Sequence, residues 1–311
     1  GRFMNTPKRI ERMSGYQQPF IDMESNPPLA PSGPDPVIPD ENPLSQEDTK
    51  EVFLEEDTYT YDGKTIHSYH PKVCETIKMN DTNSNKGSST KRSVGIDIGT
   101  GFIACAEQEG SSKKFRKVRD AFFKLNPSKF LEGSTNEFGE NMLKNAGAHY
   151  VKVDGELYVL GDDAFKFANL FHQECLRPMS QGVLNPKQPV SNMMVSELVK
   201  AIAGKAQSKD DVLYYCVPAE PIDADFDVEY HKQILHGVFS GLGYKNINVM
   251  TEGLAIVYSE LADTQYTGIG MSFGAGMCNV VYSFMGIPVF AFSLSRGGDW
   301  IDSHAARHTD E

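Results

Sequence analysis

Residues 95–101, Gly95-Ile96-Asp97-Ile98-Gly99-Thr100-Gly101, put a carboxylate at the end of an apolar strand and then two glycines around a hydroxyl residue. Glycine lets the backbone approach an anion closely, and successive N–H groups in such a turn can cradle phosphate oxygens. Asp97 is then placed to hold the waters of a hard cation such as Mg2+, which needs only one or two carboxylates when phosphates supply the rest. An ordinary glycine-rich hairpin would read the same way, so this segment alone leaves both open. It is not a Walker loop, because Gly63-Lys64-Thr65 lacks the upstream glycine, and no GxGxxG fingerprint is present.

Outward from this stretch, Phe102 to Ala106 reads as the partner strand of the hairpin. Tyr150-Val151-Lys152-Val153, Asp154-Gly155 and Leu157 to Leu160 make a second hairpin signal. Val190 to Ala203 has helical spacing, with Met194, Leu198, Val199 and Ile202 on one side. Val212 to Val217 is almost wholly apolar, the pattern of a strand buried on both faces. A helix from Val228 to Phe239, a strand Ile247 to Met250 and a helix Glu252 to Ala262 follow. The final strands are Gly268 to Met271, Val280 to Phe284 and Val289 to Leu294. Hairpins first and strand–helix–strand units afterwards predict an α/β fold with a mixed sheet and flanking helices.

The 311 residues carry 30 Lys+Arg against 42 Asp+Glu, a formal charge of -12, which argues against an electrostatic nucleic-acid binder. Neither part is basic: residues 1–91 hold 10 basic and 15 acidic groups, leaving 20 and 27 for the rest. Five dispersed cysteines without a C-x-x-C make neither a disulfide framework nor a zinc site, and the histidines show no metal spacing. No apolar run approaches the ~20 residues of a membrane span, so a cytoplasmic protein is expected. Nine of the 17 prolines lie in the first 43 residues. Residues 1–50 are expected to be a disordered Pro-rich extension, 51–91 a marginal hairpin and polar linker, and 92–311 the folded core. The chain starts at Gly1 and ends in mid-pattern at Thr309-Asp310-Glu311, which is expected of a fragment.

A second glycine-rich turn, Ser272-Phe273-Gly274-Ala275-Gly276-Met277, lies between two strands about 175 residues after the first. Two such hairpins can clamp one phosphate chain from opposite sides. Here the chain resembles the actin-like ATPase superfamily of actin, MreB-type bacterial actins, ParM and the seventy-kilodalton chaperones. Gly95 to Thr100 resembles that family's first phosphate loop, and Gly274-Ala275-Gly276 the second. Val217-Pro218-Ala219 resembles its V-P-A element, and Thr251-Glu252-Gly253-Leu254-Ala255 its E-P-x-A-A helix start. Gly297-Gly298-Asp299-Trp300-Ile301-Asp302 and Arg177-Pro178-Met179-Ser180-Gln181-Gly182-Val183 resemble MreB-type segments. The order is the family's order.

The resemblance implies an actin-like, ribonuclease H-like fold over 92–311 with an incomplete second domain, whose adenine-binding part lies beyond Glu311. It implies ATP and Mg2+ as cofactors and self-association into filaments. The implied nucleotide-binding residues are Asp97, Gly99, Thr100, Gly101, Ser272, Gly274, Ala275, Gly276, Gly297 and Gly298, with Asp97 also the metal residue. Glu252 matches the family's cleft glutamate, and Glu229 is a second candidate for activating water. Two alternatives stand beside the filament-forming ATPase: a chaperone-like or regulatory ATP switch, and a serine hydrolase using Ser272. One departure matters. Ser272 stands where the family has Asp, so hydrolysis is expected to be slow, unless Glu252 takes over that charge. The hydrolase reading rests on a literal G-x-S-x-G, Gly270 to Gly274, followed by Asp299 and His304, but the elbow needs strand–turn–helix and a strand pattern follows here.

Overall fold

The computed structural model describes residues 54–71, 91–129 and 132–309. The Pro-rich extension and the polar run 80–90 lie outside the described residues, as does Cys74. In chain order the strands are β1 (Leu54–Tyr61), β2 (Lys64–Pro71), β3 (Arg92–Ile98), β4 (Phe102–Glu109), β5 (Ser112–Arg119) and β6 (Phe122–Leu125). Helix α1 (Asn136–Asn145), strands β7 (Tyr150–Val153) and β8 (Glu156–Leu160), and helices α2 (Gly161–Leu170) and α3 (Pro189–Ala203) follow. Then come β9 (Val212–Val217), α4 (Val228–Gly241), β10 (Asn246–Thr251) and α5 (Glu252–Glu260). The last elements are β11 (Gly268–Phe273), β12 (Cys278–Phe284), β13 (Ile287–Leu294) and α6 (Gly298–Thr309).

Among the described residues these strands form a sheet ordered β1-β2-β7-β8-β6, a sheet ordered β10-β9-β3-β4-β5, and the antiparallel ribbon β11-β12-β13. β3 runs parallel to β9 and antiparallel to β4, so the central sheet is mixed. The α/β class read from the sequence holds. The early hairpin, placed ahead of the core by composition, pairs β2 with β7 and buries Ile66 in the main core. Asp62-Gly63 supplies the positive φ its turn requires.

Local chemistry sets the helix ends. Pro189 opens α3, where its missing N–H costs nothing, and Gly204 with φ +67 closes it. Asp227 caps α4 by accepting the Tyr230 N–H at 2.7 Å. Helices α3 and α4 pack on one face of the central sheet, burying Met194, Leu198, Leu213, Tyr215 and Phe239. The opposite face is covered only in part: α5 contacts β9 and β10 there, while Tyr214 is 43% exposed. β9 is therefore fully buried on one face and half-covered on the other, not buried on both as its unbroken apolar run predicts. That half-covered face carries Asp97 near its C-terminal end.

A buried ion network ties the sheet together. Arg92 on β3 donates through Nε to Glu107 on β4 at 2.8 Å, and through Nη1 to Asp211 and the Tyr244 hydroxyl, each at 3.1 Å. Arg116 on β5 donates to the second Glu107 oxygen at 2.8 Å. Burial alone would raise the Glu107 carboxyl, but the two guanidiniums hold it below its ordinary value.

Candidate functional site

Asp97 lies one residue before the end of β3, opposite Ala104. Its side chain opens onto a cavity of about 570 Å³ that Glu252, Ser272 and both glycine-rich turns also line. The surrounding protein walls raise its carboxyl above the ordinary value. The first turn is closed by the Gly99 N–H donating to the Phe102 carbonyl at 3.0 Å, and the second by the Gly274 N–H donating to the Met277 carbonyl at 2.8 Å.

The two turns touch. A Cβ at Gly101 would lie 3.6 Å from the Ala275 Cβ, and one at Gly276 would come within 2.5 Å of Thr100 Oγ1 and 2.8 Å of the Gly182 nitrogen. Glycine at 276 is thus a matter of space. Thr100 is buried, and its Oγ1 accepts the Gly182 N–H at 2.9 Å. Its oxygen thereby joins the first turn to the 177–183 segment at the cavity wall. Gly297 and Gly298 do not line the cavity. They support the second turn from behind: Gly298 and Asp299 donate their N–H groups to the Gly274 and Ala275 carbonyls, each at 2.9 Å. A Cβ at Gly297 would lie 2.5 Å from the Ala275 oxygen. Arg177 closes the arrangement by donating to Asp299 at 2.6 Å. The first turn, Arg177 and Gly182, Glu252 and the second turn thus line one cavity, with Gly298 and Asp299 behind the second turn.

Glu252 begins α5, and its Oε2 accepts the Ser272 hydroxyl at 3.0 Å and the Asn279 amide at 2.9 Å. Burial and the facing Asp97 push its carboxyl up to about 7, despite both donors. It is therefore poised to take or release a proton near neutrality. Cys216 beside the pair is pushed up to about 12 by burial, Asp97 and Glu252, and so stays a thiol. Glu229 lies elsewhere, exposed on α4 with its carboxylate 3.6 Å from Lys232 Nζ. Ser272 sits within β11, is followed by a turn and β12, and bonds a glutamate. His304 stacks on Trp300 in α6 and bonds its carbonyl. The strand–turn–helix elbow of a serine hydrolase is absent there.

Two residues of the site carry no motif signal. Asn279, 1% exposed, bridges Glu252 to the Ala219 N–H. Asp120 on the cavity wall is also 1% exposed, and neither of its carboxylate oxygens has a hydrogen-bond partner. Burial raises it well above the ordinary carboxylate range, outweighing the nearby Arg177 charge. Among the described residues no three His, Cys, Asp or Glu side chains converge on a metal position.

The family model described as Volactin matches residues 93–311. No curated protein matches the chain. Among solved structures, MreB5 of Spiroplasma citri bound to ADP is similar, with 13% identity and a TM-score of 0.47 over 71% of this chain and 57% of that one. The AlfA filament from a B. subtilis plasmid has 17% identity and a TM-score of 0.42 over 70% and 78%. A non-polymerising MamK mutant bound to AMPPNP has 14% identity and a TM-score of 0.38 over 72% and 61%. The chain spans 57% of the MreB5 length.

Proposed function

The chain belongs to the Volactin family, and we propose that it is an ATP-binding, actin-like protein that hydrolyses its nucleotide slowly and assembles with it. The observation that carries this reading is the meeting of two glycine-rich turns over a cavity lined by Asp97 and Glu252. The residues fit Mg2+–ATP. The turns are small enough for a phosphate chain to approach their backbone, and a lone carboxylate with a second nearby suits a hydrated Mg2+. Asp97 would hold the ion's waters, and the first and second turns would hold the phosphates. Bound Mg2+ would supply neutralisation of charge on the transferring phosphoryl group.

The chain's own contribution to hydrolysis is Glu252. At neutral pH its carboxyl is divided between forms, and the ionised form accepts a proton from water. Ser272 contributes a hydrogen bond to Glu252 and no charge of its own. Gly297, Gly298 and Asp299 act indirectly by fixing the second turn. Self-association rests on the resemblance of the 177–183 and 297–302 segments to MreB-type proteins. No helix among the described residues is long and apolar enough to cross a membrane.

Sedimentation of the full-length protein tests this. Pelleting that needs ATP and rises with concentration supports a filament. A nucleotide-binding protein that stays monomeric at every concentration points instead to a chaperone-like or regulatory switch.

A further inference from the structure

Ser272 and Asn279 are opposite each other in the β11–β12 register, so their side chains leave the same face of the ribbon. Helix α5 lies directly on that face, because Gly253 and Gly270 allow an approach that any side chain would block. A Cβ at Gly270 would run into the Gly253 carbonyl, and one at Gly253 would lie 2.7 Å from Val281. This contact brings Glu252 over both polar residues.

Asn279 is fixed from two sides. Its Oδ1 accepts the Ala219 N–H at 2.9 Å, and its Nδ2 donates to Glu252 Oε2 at 2.9 Å. A backbone N–H can only donate, so the orientation of the amide follows. A flipped amide would set NH2 against N–H and oxygen against carboxylate. Ala219 is held in turn, since its carbonyl accepts the Ser293 hydroxyl at 2.8 Å and Ser293 is fully buried. The Ser272 hydroxyl donates to the same Oε2 at 3.0 Å. Oε2 therefore receives two donors and Oε1 neither. A carboxylate capped in this way takes its proton on the other oxygen.

We propose that Asn279 is a positioning residue, locked by the Ala219 backbone, that caps Glu252 Oε2 and leaves Oε1 as the oxygen that receives a proton. The part played by that proton in ATP hydrolysis rests on the function proposed above, but the locking does not. Of the titratable groups facing Glu252, Asp97 from β3 opposes its charge and Cys216 from β9 stays neutral. Ser272 and Asn279 are the groups that stabilise the charged form.

Asn279→Asp keeps the side-chain shape and the acceptor for Ala219, but turns the donor facing Glu252 into an acceptor. Carbon-13 NMR of the Glu252 carboxyl, assigned with Glu252→Gln in nucleotide-free full-length protein, reads the result. The titration is expected to rise by at least about one pH unit while the Ala219 amide keeps its protection from hydrogen exchange. Ser272→Ala, which removes the other donor, should move it the same way by less. ATP turnover at neutral pH should fall about tenfold in Asn279→Asp, with KM for ATP nearly unchanged. A Glu252 titration unmoved in both variants overturns the proposal, even if ATP binds normally. A moved titration in a protein that neither binds nor hydrolyses ATP keeps the locking and sinks the ATPase reading.

Discussion

Replacing Ser272 by Asp would restore the charge that the actin-like pattern carries at this position. A second-loop acid that merely went missing should raise turnover when returned. The geometry argues the reverse. Ser272 Oγ now donates to Glu252 at 3.0 Å, so an Asp side chain would point a carboxylate at another one. Two unit charges about 4 Å apart interact by about 4 kcal/mol at an effective dielectric of 20, and each pKa unit is worth about 1.4 kcal/mol. The Glu252 carboxyl, already near 7 through burial and Asp97, would be driven up by about two to three units as the pair comes to share one proton. Steady-state phosphate release measured from pH 6 to 9.5 in full-length protein decides the matter. Ser272→Asp is expected to be at least about tenfold slower at pH 7 and to recover as pH rises. A variant faster than wild type at pH 7 would refute the reasoning, and would show that hydrolysis waits on the missing acid.

Gly276→Ala should separate the two turns, since its Cβ would meet backbone of the 181–182 segment at 2.8 Å. Overpacking of this kind costs about 1–3 kcal/mol, so a fall in Tm together with weaker ATP binding is expected, and calorimetry with neither change counts against the clamp. Arg92→Met takes the guanidinium away from buried Asp211 and leaves Glu107 with Arg116 alone. Chemical denaturation should show a loss of about 3–5 kcal/mol, and a loss under about 1 kcal/mol would mean the network is not buried as described. Glu252 holds its proton to a higher pH folded than unfolded, so its contribution to stability is present below about pH 4.5 and lost as pH rises to about 7, up to about 3 kcal/mol. Glu252→Gln should flatten Tm against pH across that window, and an unchanged slope would remove the buried charge from the account.

The hairpins and the strand–helix–strand units were legible because each is set by local chemistry: alternation, Asp-Gly and Gly-rich turns, and a proline at the start of α3. So was the pairing of the two glycine-rich turns, whose spacing and order are visible along the chain. What local pattern does not carry is which side chain faces which. Thr100 reads as a phosphate-turn hydroxyl, and its oxygen also accepts the Gly182 N–H, a contact made across 82 positions that local pattern does not carry. Gly297 and Gly298 read as phosphate-binding residues, yet they pack behind the second turn. Asn279 gave no signal, because its role comes from a register opposite Ser272 and from a turn 60 positions away. Val212 to Val217 misled because apolar composition does not say how many faces of a strand are covered.

Calorimetric titration of the full-length protein with ATP in the presence of Mg2+ tests the central claim most directly, with Asp97→Ala alongside. Asp97 lines the cavity together with the first turn and Glu252. Wild type is expected to bind, and Asp97→Ala to lose the Mg2+-dependent part of the affinity, at least about tenfold. Binding that is equal in the two proteins, with and without Mg2+, would contradict the assignment of this cavity to a Mg2+-bound nucleotide.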